Sequence, residues 1–196
     1  MTHPPSFQEV PCRLFARAGR ENTEAVLEIV RKRAAELALD TVVLATCSGW
    51  TAFEALRLLA PGTRIVAVTH ITGWAKPDEQ ELSAENRQAL EAQGIRLYTG
   101  THAFGGVGRA VRNKLHTYQV DEIMAFTLRL FGQGTKVAVE IALMAADAGL
   151  VRTDRDVIAV GGSGQGADTA LVLRPANASR LFDLRVREIL CKPSVF

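Results

Sequence analysis

The 196-residue chain is 47% hydrophobic and 22% charged, the proportions of an ordinary globular domain, and its length suits one domain spanning 1–196. Its 23 basic and 21 acidic residues leave a formal charge of +2, too little for a nucleic-acid footprint or a surface for anionic lipids. Cys12, Cys47 and Cys191 are widely spaced, odd in number and without a C-x-x-C pair, which excludes a readable disulfide framework or zinc knuckle and fits a reducing cytoplasm. Residues 1–5 lack the pattern of an export signal, and no apolar run approaches the roughly 20 residues that span a bilayer.

From Asn22 onward, Val26, Ile29, Val30, Ala34 and Leu37 recur at helical spacing, with Asn22 placed to cap the helix and Glu24 suited to its positive end. Residues 41–45 (TVVLA) form a short β-branched run, the mark of a strand covered on both faces. Phe53, Ala55, Leu56 and Leu59 predict a second helix that stops before Pro61 and Gly62. The pattern repeats with a strand at 64–68, a helix at 83–93 ended by Gly94 and a strand at 95–98, which implies βαβ crossovers. Residues 107–131 are helical but broken. Residues 135–148 form a strongly apolar helix closed by Gly149, predicted to bury itself against the sheet and a neighbouring subunit. Strands at 156–160 and 169–173 flank a glycine-rich turn, predicting an antiparallel pair at one end of the sheet, and 182–192 reads as a further strand.

In open α/β sheets ligands bind beyond the carboxyl ends of the strands, which nominates loops 46–51, 69–76, 99–108 and 161–168, joined by 132–136. Thr46, Cys47, Ser48, Gly49, Trp50 and Thr51 put hydroxyls, a glycine and a helix start in succession, which suits an anion held by backbone amides. The alternative is that Ser48 or Thr51 simply caps the helix. A phosphatase-type cysteine loop needs an arginine where Phe53 stands, so Cys47 reads as an inert small side chain rather than a thiolate.

Gly162, Gly164 and Ala167 mimic a dinucleotide fingerprint, but a strand follows where a helix is required, and Gln165 excludes a nucleophile elbow at Ser163. That turn is a tight hairpin or a close backbone approach to a ligand. His70 and His102 each follow a strand, as ligand-orienting or proton-moving groups or as polar surface, and no His, Asp or Glu spacing points to a metal. Trp50, Trp74 and Phe104 lie on three loops of the same edge, stacking on a planar ring or covering the core's rim. Lys136, just after Gly134 and Thr135 at a helix start, is a phosphate or carboxylate contact or a solvated lysine.

The pattern T-x-S-G-x-T-A through Thr46, Ser48, Gly49, Thr51 and Ala52, followed by Ile65, Ala67, Val68 and Thr69, resembles the C-terminal α/β domain of pyruvate kinase. In that family the loop receives a phosphate of an allosteric sugar bisphosphate. The segments FGQGTKVAVEIALMAADAG and IAVGGSGQGADTALVL more specifically resemble stand-alone prokaryotic proteins built on this domain. The resemblance covers nearly the whole chain. It implies a three-layer α/β/α sandwich with a mostly parallel sheet and an antiparallel edge, and flavin mononucleotide (FMN) as a bound ligand. Pyruvate kinase performs its chemistry in a separate barrel that these 196 residues do not hold, so kinase activity is not expected. Trp50 is bulkier than a usual effector-loop residue, which weighs against a sugar bisphosphate. The leading expectation is a cytoplasmic, homo-oligomeric protein that binds a phosphorylated ligand, FMN. The alternatives are a flavin-dependent oxidoreductase assisted by His70, His102 or Cys47, and an interaction domain docking through helix 135–148.

Overall fold

A computed structural model describes residues 7–196; the reading of residues 1–5 as free of an export signal lies outside the described residues. Strand β1 (Arg13–Phe15) leads through a 3-10 turn (Arg20–Asn22) to α1 (Thr23–Leu37), β2 (Thr41–Ala45), α2 (Trp50–Leu58), β3 (Arg64–Thr69), α3 (Ala84–Ala92) and β4 (Arg96–Thr99). Helices α4 (Val107–Leu115), α5 (Val120–Arg129) and α6 (Gln133–Asp147) precede β5 (Val157–Gly161), β6 (Thr169–Arg174), a 3-10 turn (Ala178–Asp183) and β7 (Arg185–Pro193). The strands form one sheet in the order β1-β7-β6-β5-β2-β3-β4.

Strands β5, β2, β3 and β4 are parallel, β6 runs antiparallel to both β5 and β7, and β1 lies parallel to β7. Among the described strands only β6 runs against the rest, and it lies inside the sheet between β5 and β7 rather than at the end where the antiparallel pair was expected. Alternation along β2 divides the core: Val42 and Leu44 pack with α1, α2 and α3 residues such as Leu27, Ala55 and Leu90, while Val43 faces Ala138, Ala142 and Leu143 of α6. Two helical layers thus enclose the sheet, the three-layer α/β/α arrangement. The bidentate pair of Arg33 with Glu188, at 2.8 and 2.7 Å, ties α1 to β7.

Two local expectations are corrected and a third, the break within 107–131, is located. Asn22 does not cap α1, because the 3-10 turn runs straight into the helix and the Asn22 amide turns back to Arg17 and Gly19 carbonyl oxygens at 2.9 and 3.2 Å. The break in 107–131 falls at His116, whose left-handed φ of 54° separates α4 from α5. Helix α6 is buried almost throughout by its own chain, against β5, β2, β6 and α5, which leaves it no free face for a second subunit. Exposed apolar side chains do occur on α5 and just beyond it, at Val120, Ile123, Phe126 and Leu130. Among the described residues, no helix is long and apolar enough to cross a membrane.

Candidate functional site

The chain leaves β2 for β3 on one side and returns from β4 to β5 on the other, so the loops after β2 and β5 part at a topological switch point. A two-lobed cleft opens there. Its larger lobe, about 500 Å³, lies between Thr46, Ser48, Trp50 and Thr51 on one wall and Gly162, Gly164 and Gly166 on the other. The smaller, about 180 Å³, reaches inward to Lys136 and Glu140, and the lobes share Thr46, Cys47, His70 and Trp74.

Thr46 Oγ1 accepts the Gly49 amide at 3.1 Å, folding the loop into a tight turn. Gly49 adopts φ 97°, a backbone that favours glycine, and a Cβ there would stand 3.0 Å from Leu82 Cδ1, which would have to give way. Gly49 is the N-cap of α2 and no side chain caps that helix, so neither Ser48 nor Thr51 takes up its first-turn amides. Across them lies a residue that the sequence did not nominate: the Arg20 guanidinium sits over the Trp50 ring, 3.7 Å from its centre, and lines the same lobe.

In the smaller lobe the Lys136 ammonium binds the Glu140 carboxylate directly, and Glu140 also accepts the Phe104 amide at 2.9 Å. Lys136 is therefore a buried, paired group and not a solvated one. Burial lowers its pKa, an effect that Glu140 opposes. His102 stacks on Trp74 at 4.5 Å, and the Arg109 guanidinium lies 4.1 Å from the same indole. Burial pulls His102 down to about 4 despite Glu140 nearby, so the ring is neutral near pH 7, with Nε2 accepting the Ile71 amide at 3.5 Å. Phe104 is buried as part of the core rather than offered to a ring ligand.

Of the nominated residues, Gly134 and Thr135 lie behind the cleft: Gly134 packs against Thr169 and Asp168, and the Thr135 hydroxyl donates to the Phe131 carbonyl at 3.2 Å. The Ser163 amide donates to Asp168 at 3.0 Å, while its hydroxyl oxygen is buried without a hydrogen-bond partner. Cys47 Sγ lies 3.6 Å from His70 Nε2, and His70 Nδ1 lies 2.5 Å from Glu81. Burial, then the Glu81 charge, pushes the Cys47 thiol up to about 11, so it rests protonated. Arg20 and Glu81 escaped the sequence reading because each reaches the cleft from outside the nominated loops, and Arg109 lies one residue beyond loop 99–108; Asp168 closes the nominated loop 161–168 without having been singled out, and Glu140 carried a local signal, four residues after Lys136.

These features define a three-layer α/β domain with a ligand cleft at the carboxyl ends of its parallel strands. Residues 24–173 match the family described as pyruvate kinase, alpha/beta domain, and the chain belongs to that family. A solved pyruvate kinase from Cryptosporidium parvum is 19% identical with a TM-score of 0.41, over 85% of this chain and 24% of that one. Cryptosporidium parvum pyruvate kinase in complex with ADP is 17% identical with a TM-score of 0.38, over 92% and 25%. The chain spans about a quarter of the length of these pyruvate kinases.

Proposed function

We propose that the larger lobe binds the phosphate of a small ligand, with FMN as the foremost candidate. The observation that carries this is the uncapped first turn of α2 facing the Arg20 guanidinium across one cavity. Helix-start amides and a guanidinium are complementary donors for a phosphate, and among the described residues neither has a carboxylate partner that would have to be displaced. The cavity volume of about 500 Å³ suits a ligand of mononucleotide size. Trp50 and Trp74 both line it, so a flat ring finds an indole beside the phosphate loop once Arg20 turns from Trp50 to the phosphate. Trp50, Trp74 and the glycine backbone of 162–166 would flank such a ring. A bound flavin would supply hydride and electron transfer; the residues named here bind and orient.

Calorimetric titration with FMN, riboflavin and inorganic phosphate tests the reading. FMN is expected to bind at least tenfold more tightly than riboflavin, and Arg20→Ala to remove about tenfold of the FMN affinity, the weight of one charge-assisted contact. Equal binding of FMN and riboflavin, or binding of neither, sinks it. Reduction of bound flavin by NADH would extend the same site to an oxidoreductase. We also propose that the chain lacks pyruvate kinase activity, so a coupled assay for pyruvate formation is expected to show no turnover. Self-association remains part of the proposal and is read by sedimentation.

A further inference from the structure

Cys47 follows β2, His70 follows β3 and Glu81 precedes α3, so residues 23 and 11 positions apart meet at the mouth of the cleft. Their donor atoms fall within 4.8 Å of one another, which raises the possibility of a cation site. The nearest contacts link the three groups in series: one nitrogen of His70 faces the thiol at 3.6 Å and the other faces the carboxylate at 2.5 Å. Thiol, imidazole and carboxylate in line is the arrangement of a base-assisted nucleophile.

We propose that Cys47 is a catalytic nucleophile for acyl transfer from esters or thioesters, with His70 as its general base and Glu81 as the residue that positions the imidazole. This goes beyond ligand binding and does not depend on what fills the phosphate loop. Glu81 accepts the proton of Nδ1, which fixes the tautomer that presents an unprotonated Nε2 to the thiol. Because the thiol rests protonated, its proton must leave as it reacts, and His70 is the group in place to take it. The Cys47 Sγ–H proton passes to His70 Nε2 while Sγ bonds to the acyl carbon. The carbon's bond to the leaving oxygen or sulfur then breaks, and that leaving group takes the proton from Nε2. Water, giving its proton to the same nitrogen, cleaves the acyl-cysteine to a carboxylic acid and restores the thiol.

Carbon is the electrophile that the surroundings favour. Disulfide exchange has no second thiol at hand: Cys191 lies on β7, with β6 and β5 between it and β2, and Cys12 precedes β1 at the far edge. Phosphoryl transfer to the thiol in the phosphatase manner lacks its arginine, since Phe53 occupies that position. The same fold provides a control, because Cys12 is an exposed thiol in another part of the sheet.

The experiment follows acetylation of the purified chain by p-nitrophenyl acetate, with the modified cysteine located by peptide mass spectrometry. Cys47 is expected to be acetylated in a rapid stoichiometric burst, faster than exposed Cys12. His70→Gln is expected to slow Cys47 about 100-fold, the usual weight of a general base, without changing the Cys12 rate or the melting temperature. Glu81→Gln is expected to slow Cys47 less and to shift the His70 ring-nitrogen NMR signals from a single tautomer to a mixture. The proposal is overturned if wild-type Cys47 reacts no faster than Cys12, or if His70→Gln leaves its rate unchanged. It is equally overturned if stoichiometric zinc binds the untreated protein and abolishes the reactivity of Cys47. Phosphate and FMN binding are measured separately by calorimetry, so failure of either proposal leaves the other standing.

Discussion

Asp168 shows how one side chain can hold a binding edge together. Fully buried, its carboxylate accepts the Gly19 amide at 3.3 Å, the Ser163 amide at 3.0 Å and the Thr169 hydroxyl at 2.8 Å. It therefore fastens the turn that carries Arg20 to the glycine loop opposite. Asp168→Ala strands those donors, and chemical denaturation is expected to show a loss of about 2–4 kcal/mol. Gly49→Ala forces a left-handed backbone and crowds Leu82; a cost of about 1–2 kcal/mol and weaker phosphate binding are expected in melts and titrations. His102 ties stability to pH. Its folded value of about 4 lies below the ordinary 6.5 of a histidine, so between those limits the unfolded chain binds more protons and acid favours unfolding. The groups around it are Glu140, His70, Lys136 and Arg109. Stability is expected to fall by about 2 kcal/mol from pH 7.5 to pH 5, and His102→Gln to remove that component in denaturant titrations at the two pH values.

Among the elements, α6 places the largest electrostatic stake in the interior. Lys136 and Glu140 pair one turn apart, each about 5% exposed, at the foot of the smaller lobe. Lys136→Met leaves a buried carboxylate without its cation, and an unfolding loss of about 3–5 kcal/mol is expected. The double change Lys136→Met with Glu140→Gln is expected to recover part of it, since a neutral amide still accepts the Phe104 amide; a double-mutant cycle reads the coupling. Helices α1, α2, α3 and α6 and the central strands were legible because their apolar periods are strong and their ends are marked, as by Ser83, whose hydroxyl accepts the Asn86 amide at 3.1 Å. Strand β1 was not: its three residues, Arg13, Leu14 and Phe15, are too few to show a period, and only pairing with β7 makes them a strand. Asn22 misled for a related reason, since a good capping residue is indistinguishable in sequence from one spent on a preceding turn.

At the scale of the whole molecule, the cleft was readable from the rule that ligands sit beyond parallel strand ends, and the loop 46–51 and the 162–166 turn do face each other across it. What the rule did not convey was charge. Arg20 arrives from the first turn before α1, and Glu81 from the approach to α3, contacts set by topology that no local pattern records. The cation expected at Lys136 is paired inside the core, while the guanidinium lining the larger lobe comes from elsewhere.

The pairing of β1 with β7 also has a consequence in time. Strand β1 has no partner until β7, far along the chain, is made, and until then β6 presents an open edge where β7 will lie. Closure over so long a separation is slow, and an unpaired apolar edge invites pairing between nascent chains. Chains truncated just before Arg185 are therefore expected to cross-associate in sedimentation, whereas chains that run through Pro193 close the sheet and end that exposure.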